Sequence, residues 1–133
     1  NNIYLNKDIS NSISNLTFLN NQNYNVILPD PNEYPGVKYI LAFNDDTNCN
    51  SIINLITHSN SCNIYGYIIF ANNIVSSVGS ENLPVSKISF NSINNNNLSG
   101  TNIEIYNNSN FWSIKGYCSL KSDCNPIYYY ECI

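Results

Sequence analysis

The stretch Val26-Ile-Leu-Pro-Asp-Pro-Asn-Glu-Tyr-Pro-Gly-Val-Lys-Tyr-Ile-Leu41 decides how this chain is expected to fold. Its two apolar ends are typical of β-strands, and three prolines, Pro29, Pro31 and Pro35, stand between them. Because proline fixes its own backbone angle and cannot donate to a sheet ladder, these residues expel the segment from a sheet. The stretch therefore predicts a strand, a rigid surface loop and, after Gly36, a second strand.

A second informative segment lies near the other end of the chain, Asn110-Phe-Trp-Ser-Ile-Lys-Gly116. Trp112 and Ile114 alternate there with polar residues, which predicts a strand with a large aromatic anchor. A single tryptophan in an alternating strand is expected in the core or in an interface. The alternative is a ring that stacks on a sugar, since an aromatic face suits the apolar face of a carbohydrate.

Alternation of apolar and polar residues recurs along the chain, and no segment keeps a helical apolar stripe over three turns. Short strands at this spacing predict an all-β fold, an antiparallel β-sandwich or jelly-roll-like head domain. Residues 1–15 are expected to form an N-terminal strand or a stalk connection, and residues 16–133 a single β-sandwich head domain. The predicted strands are 17–20, 25–28, 37–43, 52–57, 64–70, 87–91 and 127–132, with a hairpin over 101–118 that turns at 107–110.

Composition and charge exclude several classes of partner. The chain of 133 residues has no arginine and a formal net charge of −4, with 29 asparagines and 11 tyrosines. Nucleic acid and anionic membrane surfaces need a cationic face, so neither is expected to be a partner. No run of about 18 apolar residues is present, so no membrane insertion is expected. The composition instead predicts a neutral surface built from hydrogen-bonding side chains.

The five cysteines suit an oxidising compartment better than the cytosol. The preferred first disulfide joins Cys49 to Cys62, because closing the loop between them contributes roughly 3 kcal/mol. A second, tight pair is expected after the tryptophan strand, which leaves the last cysteine over. The alternative is that all five are reduced and buried. The expected pairs are Cys49 with Cys62 and Cys118 with Cys124, and the cysteine left over is Cys132.

Tyrosines are the candidate ligand-binding residues. Alternation sends the middle member of Tyr128-Tyr129-Tyr130 to one face and its neighbours to the other, so at least one ring is exposed to solvent or a partner. Tyr65 and Tyr67 share a face beside Gly66 in the same way. Because tyrosine anchors binding surfaces at low entropic cost, the predicted site comprises Tyr65, Tyr67, Tyr128 and Tyr130. A tyrosine-rich edge strand in a subunit interface is the alternative.

Metal, cofactor and catalytic sites are not expected. The loop Asn44-Asp-Asp-Thr-Asn48 offers oxygen ligands but lacks the spacing of a calcium loop, which favours a plain surface turn. His58 is the only histidine, with no nucleophile motif beside it, so the chain is not expected to be an enzyme. Glycosylation sequons begin at Asn15, Asn97 and Asn107, a number no greater than chance gives in so asparagine-rich a chain.

The order of these segments resembles the β-rich head modules at the ends of bacteriophage tail fibres and of fibre or collagen-like surface proteins of giant DNA viruses. The resemblance is carried by Ile27-Leu-Pro-Asp30, by Tyr34-Pro-Gly36, by Tyr39-Ile-Leu41 and by Asn110-Phe-Trp-Ser-Ile114. It covers roughly residues 24–116. Asparagine and serine fill turns that are usually rich in glycine and aspartate in such modules, and the cysteine-bearing end after Gly116 lies outside the resemblance.

The resemblance implies a fibre head on the virion surface, an extracellular location, which assembles as a homotrimer and attaches to a host-surface ligand. A glycan is the expected ligand, with a protein receptor as the other possibility. Closed threefold symmetry would cover the exposed edges of such a fold. The alternative is a structural virion-surface or capsid-decorating protein that contacts only other virion proteins, and a hydrolytic enzyme is a remote third.

Overall fold

The computed structural model describes residues 2–6, 13–16, 23–33, 35–43, 52–91 and 97–132, with backbone only for 13–16 and for Glu131. These residues form eleven β-strands and two short 3-10 turns, His58–Asn60 and Ser122–Cys124. The strands are β1 (Asn2–Tyr4), β2 (Ile13–Leu16), β3 (Asn23–Ile27), β4 (Lys38–Phe43), β5 (Ile52–Ile56), β6 (Ile64–Phe70), β7 (Val75–Val78), β8 (Val85–Asn91), β9 (Asn102–Asn107), β10 (Trp112–Cys118) and β11 (Ile127–Glu131).

All eleven strands belong to one curled sheet, so the all-β prediction is confirmed. Its order is β1-β3-β5-β8-β6-β10-β9-β4-β2, with β11 paired to β8 and β7 paired to β6. The expectation of an antiparallel arrangement is wrong, because β1/β3, β3/β5, β6/β10 and β2/β4 are parallel pairs. Each parallel pair joins strands that are not consecutive in the chain, because the chain crosses to another part of the sheet before it returns. The proline loop makes one such crossing, from β3, second in the order, to β4, eighth in the order, so that no hairpin joins them.

The core lies inside the curl and follows the alternation of the strands. In β4, Tyr39, Leu41 and Phe43 are buried, as predicted, and the residues between them are half-buried. The ring of Phe43 meets the ring of Phe90 edge-on, with centroids 5.3 Å apart. These rings belong to β4 and β8, four positions apart in the strand order, so the sheet folds back on itself to bring them together.

The proline loop and the tryptophan strand are in direct contact. Trp112 and Leu28 are both fully buried, which confirms the prediction of a core tryptophan. The indole Nε1 of Trp112 donates a 3.0 Å hydrogen bond to the carbonyl oxygen of Pro29. Beside it, the side-chain amide nitrogen of Asn107 donates a 2.6 Å hydrogen bond to the carbonyl oxygen of Pro31. The loop thus leaves the sheet and closes over the start of β10.

The predicted hairpin over 101–118 is present as β9 and β10, paired antiparallel. In its turn, the residue with positive φ is Ser109, at 84°, where an asparagine was expected. Its backbone N–H is held by the side-chain oxygen of Asn107 at 2.7 Å. Strand β7 was not predicted, β2 lies earlier than the strand predicted at 17–20, and residues 17–20 themselves lie outside the described part of the chain.

The disulfide differs from both predicted pairs. Cys62 is bonded to Cys132, with 6.1 Å between their Cα atoms, and Cys118 and Cys124 are thiols. Strand register explains this pairing, because Val85 of β8 pairs both with Ile64, just after Cys62, and with Glu131, just before Cys132. Cys49 lies outside the described residues, and the pair Cys49–Cys62 is wrong because Cys62 is already bonded.

Candidate functional site

The outward side of strands β6, β10 and β9 carries four tyrosines. Tyr67, Tyr106 and Tyr117 are 36%, 47% and 42% exposed, and Tyr65 is half-buried. Their strand neighbours are core residues, so alternation points these rings away from the core. Together with the outward residues of β4, which pairs with β9, this side of the sheet is called the tyrosine face. It comprises Tyr65, Tyr67 and Ile69 on β6, Ser113, Lys115 and Tyr117 on β10, Asn102, Glu104 and Tyr106 on β9, and Lys38, Ile40 and Ala42 on β4.

Strand register orders the tyrosine face into rows. Ser113 lies between Tyr65 and Tyr106, and Lys115 lies between Tyr67 and Glu104. Neighbouring strands are about 4.8 Å apart and successive outward residues about 7 Å apart, so the face extends roughly 14 Å in each direction.

Tyr65 is held in place by residues of the neighbouring turn. Its hydroxyl oxygen accepts a 3.1 Å hydrogen bond from the side-chain amide of Asn108, in the turn between β9 and β10. Its ring meets the ring of Phe111 edge-on at 5.5 Å. The side-chain oxygen of Asn108 in turn accepts from the backbone N–H of Phe111 at 2.9 Å. The turn therefore fixes the orientation of one ring of the tyrosine face.

Gly66 and Gly116 keep the strands beneath the tyrosine face tightly packed. A Cβ atom on Gly66 would overlap the backbone carbonyl oxygen of Ile114 in the neighbouring strand. A Cβ atom on Gly116 would lie 2.7 Å from the Cδ1 atom of Ile103 and 3.0 Å from Cγ1 of Ile68. Gly66 lies between the outward Tyr65 and Tyr67, and Gly116 lies between the outward Lys115 and Tyr117, so the two glycines set the spacing of the strands that carry the rings.

Three charged side chains lie on the tyrosine face. Lys38 forms an ion pair with Glu104 at 2.5 Å between Nζ and Oε1, and both side chains are partly exposed. Lys115 is exposed and stands opposite Glu104 across the β9–β10 ladder. With two lysines and one glutamate the face carries a net charge of +1, in a chain of net charge −4.

Tyr128 and Tyr130 lie on a different part of the outer surface, on β11. They are opposite Ser89 and Lys87 of β8, and both rings are about half exposed. The ammonium group of Lys87 lies 4.3 Å from the centroid of the Tyr130 ring, a cation–π contact. The cation of this surface is therefore already engaged by one of its tyrosines.

The polar side chains beside Tyr128 also bond to one another. The hydroxyl of Ser89 donates to Asn54, the amide of Asn54 donates to Asn25 at 3.1 Å, and the amide of Asn25 donates to Asn2 at 3.0 Å. This asparagine ladder crosses strands β8, β5, β3 and β1 in register. Its groups stabilise the sheet, which leaves fewer of them for a ligand than the tyrosine face offers.

Two shallow pockets lie between strands β7 and β11, each of which has one paired neighbour among the described strands. One pocket of about 250 Å³ is lined by Phe70, Val75 and Ile127, among others. A second pocket of about 220 Å³ is lined by Leu83 and Tyr129 with three small residues. Exposed Ile74, Val75 and Leu83 make this side of the molecule apolar.

The structure thus brings the predicted site residues together in two pairs. Tyr65 and Tyr67 share the tyrosine face, whereas Tyr128 and Tyr130 share the surface of β11 and β8. Sequence reasoning missed Tyr106 and Tyr117, although their signal was present. Once the residues on either side of them are assigned to the core, alternation along β9 and β10 sends both tyrosines outward.

Other predicted features have plain outcomes. Asn107 is fully buried with its amide bonded to Pro31, so that sequon is blocked in the folded protein, whereas Asn97 is exposed. His58 lies exposed in a 3-10 turn. The Asn44–Asn48 loop lies outside the described residues. Within the described ranges no cluster of three metal-ligating side chains occurs, and no helix there is long and apolar enough to span a membrane.

Comparison of the chain with models of protein families, with curated proteins and with solved structures finds no match.

Proposed function

We propose that the protein is a non-catalytic binding module that attaches to a carbohydrate through the tyrosine face. The observation that carries the proposal is the presence of three exposed tyrosines, Tyr67, Tyr106 and Tyr117, on one outward side of a paired sheet. Aromatic rings contact the apolar C–H faces of sugar rings, and tyrosine hydroxyls, amides and an ammonium group bind sugar hydroxyls. The tyrosine face supplies all of these groups on one side of four neighbouring strands.

Rigidity supports this use of the face. The rings stand on strands with a partner on each side, and Tyr65 is fixed by Asn108 and Phe111. A surface ordered in advance loses less conformational entropy when it binds, so more of the contact energy appears as affinity. Weakly held saccharides benefit most from such an arrangement, because each sugar contributes few strong contacts.

The setting of this module is a further part of the proposal: a trimeric sandwich-like head on the virion surface that grips a host cell. The supporting observations are the contact between the Leu28-Pro29 loop and Trp112, which are the segments that carry the resemblance to fibre heads, and the contact between Phe43 and Phe90 across the curl. The disulfide Cys62–Cys132 suits an extracellular location.

A structural role on the virion is the second candidate, and the apolar side between β7 and β11 favours it. Strand edges that no other described strand covers, beside exposed Ile74, Val75 and Leu83, are features of surfaces that other protein chains cover. In this case the contacts would be with other virion proteins and the tyrosine face would bind no sugar.

Glycan-array binding of the purified protein, followed by titration of each hit, tests the proposal. Tyr67→Ala and Tyr117→Ala are expected to lower affinity at least tenfold, because each removes one ring from the face. Tyr128→Ala is the matched control, an exposed tyrosine on the other surface, and is expected to bind like the wild type. Binding lost equally in Tyr128→Ala would move the site away from the tyrosine face.

Light scattering tests the assembly. A trimer is expected, and a monomer in dilute solution would overturn the fibre-head setting without touching sugar binding. Trimer formation with affinity for capsid shells but for no glycan would favour the structural role.

A further inference from the structure

Lys115 is the feature of the tyrosine face that neutral sugars leave unexplained. Its side chain is exposed in the middle of β10, between Tyr67 on one neighbouring strand and Glu104 on the other. The carboxylate of Glu104 is bound to Lys38 at 2.5 Å. In the portion of the chain that the structure describes, this is the only ion pair, so Lys115 has no anionic partner there.

The charge of the surroundings makes that ammonium group unusual. The chain carries five lysines and nine acidic residues, yet the tyrosine face holds two lysines and one glutamate. Lys87, by contrast, is already engaged by the ring of Tyr130 on the other surface. The tyrosine face therefore combines a net positive charge with exposed rings, and a ligand that matches both has an anionic group and an apolar face.

We propose that the carbohydrate bound by this protein is acidic, and that its carboxylate or sulfate group pairs with the ammonium group of Lys115 while its ring lies against Tyr67 and Tyr117. This inference rests on the proposed function, since it specifies the ligand of the same face. Tyr67 is opposite Lys115 in the β6–β10 ladder and Tyr117 lies two residues further along β10, so both side chains leave the same side of the sheet as Lys115, at neighbouring positions. A sugar ring that lies against these tyrosines reduces the contact of the Lys115 ammonium group with water and so strengthens its pairing with the anionic group of the sugar.

The Lys38–Glu104 pair contributes to the selectivity of the site. By holding the carboxylate of Glu104, Lys38 weakens the competition that Glu104 would otherwise offer to an incoming anion at Lys115. Removing Lys38 releases Glu104 toward Lys115 and is expected to lower affinity for acidic sugars, although Lys38 itself lies one row away from Lys115.

Titrations with matched saccharides test this inference. The probes are sialyllactose against lactose, and a sulfated against a desulfated chondroitin disaccharide, each at low and at high salt. The acidic member of at least one pair is expected to bind roughly tenfold more tightly at low salt, and the difference is expected to shrink as salt screens the pair. The two pairs distinguish a carboxylate ligand from a sulfate ligand.

Variants assign the effect to a residue. Lys115→Gln is expected to abolish the preference for the acidic sugar, because it removes the positive charge. Lys115→Arg is expected to retain the preference, because it keeps that charge. Both variants are expected to stay folded, since each keeps a long exposed side chain. Lys87→Gln is the control, since it removes the same charge from the other surface, and is expected to leave both affinities unchanged. Loss of the preference in Lys87→Gln as well would show that net charge, not Lys115, carries it.

The outcomes separate this inference from the function beneath it. Equal binding of acidic and neutral sugars, lost in Tyr67→Ala, would overturn the acidic ligand and leave carbohydrate binding standing. An oligonucleotide of similar charge that binds as tightly as the acidic sugar would also overturn it, because the site would then select charge alone. No binding of any saccharide would overturn both.

Discussion

The indole nitrogen of Trp112 donates its hydrogen bond to the carbonyl oxygen of Pro29 across a separation of 83 residues. This bond joins the proline loop, which leaves the sheet after β3, to the start of β10, which lies in the middle of the strand order. The ring of Tyr39 lies beside the indole at a centroid distance of 5.6 Å, so the connection also reaches β4. Three segments distant in sequence are thus fixed around one side chain.

Trp112→Phe is expected to lower the free energy of unfolding by about 2 kcal/mol, because it leaves the carbonyl of Pro29 without its donor and the site underfilled. Trp112→Ala is expected to cost about 3–5 kcal/mol. Urea denaturation followed by circular dichroism measures both. Tyr106→Phe, which removes an exposed hydroxyl from the same hairpin, is expected to stay within about 0.5 kcal/mol of the wild type. A urea midpoint of Trp112→Phe equal to that of the wild type would contradict the hydrogen bond assigned between Trp112 and Pro29.

Gly66→Ala and Gly116→Ala are expected to differ in severity although both lie inside the sheet. In Gly66→Ala the new methyl group meets a backbone carbonyl of Ile114, which cannot move without breaking the β6–β10 ladder. In Gly116→Ala it meets side-chain atoms of two isoleucines, Cδ1 of Ile103 and Cγ1 of Ile68, and these side chains can change rotamer at a cost of roughly 1–3 kcal/mol. Thermal unfolding should therefore give Gly66→Ala a lower melting temperature than Gly116→Ala. The reverse order would contradict the close contact assigned between Gly66 and the backbone of Ile114.

Cys132→Ser is expected to destabilise the protein by about 4 kcal/mol in the chain-entropy model, because the Cys62–Cys132 bond closes a loop of 70 residues. Reducing agent should lower the melting temperature of the wild type to that of the variant. Cys124→Ser, which removes an exposed thiol, should leave the melting temperature under oxidising conditions unchanged. A reductant-insensitive wild type would argue against the bond.

Removal of the asparagine ladder is expected to cost more in its middle than at its end. Asn54→Leu leaves the buried hydroxyl of Ser89 without an acceptor, at about 1–3 kcal/mol, whereas Asn2→Ala removes an exposed terminal amide and should change stability by less than about 0.5 kcal/mol. Denaturation of the two variants side by side measures the difference. Equal costs would mean that the ladder contributes little beyond its exposed bonds.

Burial raises the pKa of the Cys118 thiol, partly opposed by hydrogen bonds from the backbone of Leu120 and the side chain of Thr101. The folded protein therefore holds this proton more tightly than the unfolded chain does. Its contribution to stability is complete below the ordinary thiol range and is lost as pH rises through that range toward the raised value. Cys118→Ala should show a weaker alkaline loss of stability than the wild type. In folded wild type, Cys124 should react with a thiol reagent well before Cys118 does.

The sequence predicted the strands whose alternation is regular, since Tyr39, Leu41 and Phe43 could face only one way in a half-buried strand. It also predicted a buried Trp112 and the hairpin that contains it. It did not predict which strands pair, because alternation assigns a face to each residue and carries no information about a partner strand. Strand β7 was missed for a related reason: two serines occupy its centre and Val75 is mostly exposed.

The disulfide and the candidate site were predicted in part, for reasons that lie in the register. Loop length favoured the near neighbour of Cys62, whereas the pairing of β8 with both β6 and β11 brings Cys132 to it. The buried Ser89 was expected on the polar face of β8, which is where it lies, but its burial depends on Asn54 of another strand. Tyr65 and Tyr67 were found by alternation within one strand, while the rows they form with β10 and β9 required the sheet order.

The strand order also sets a timetable for biosynthesis. β4 ends at Phe43, and β9, its antiparallel partner, begins 59 residues later at Asn102. At ordinary translation rates of 5–20 residues per second, β4 waits about 3–12 s on the ribosome before that partner exists. During this interval Tyr39, Leu41 and Phe43 have no completed core to enter. A nascent chain of this topology therefore exposes these residues to aggregation until β9 is made, so slower translation between Phe43 and Asn102 should lower the yield of folded protein.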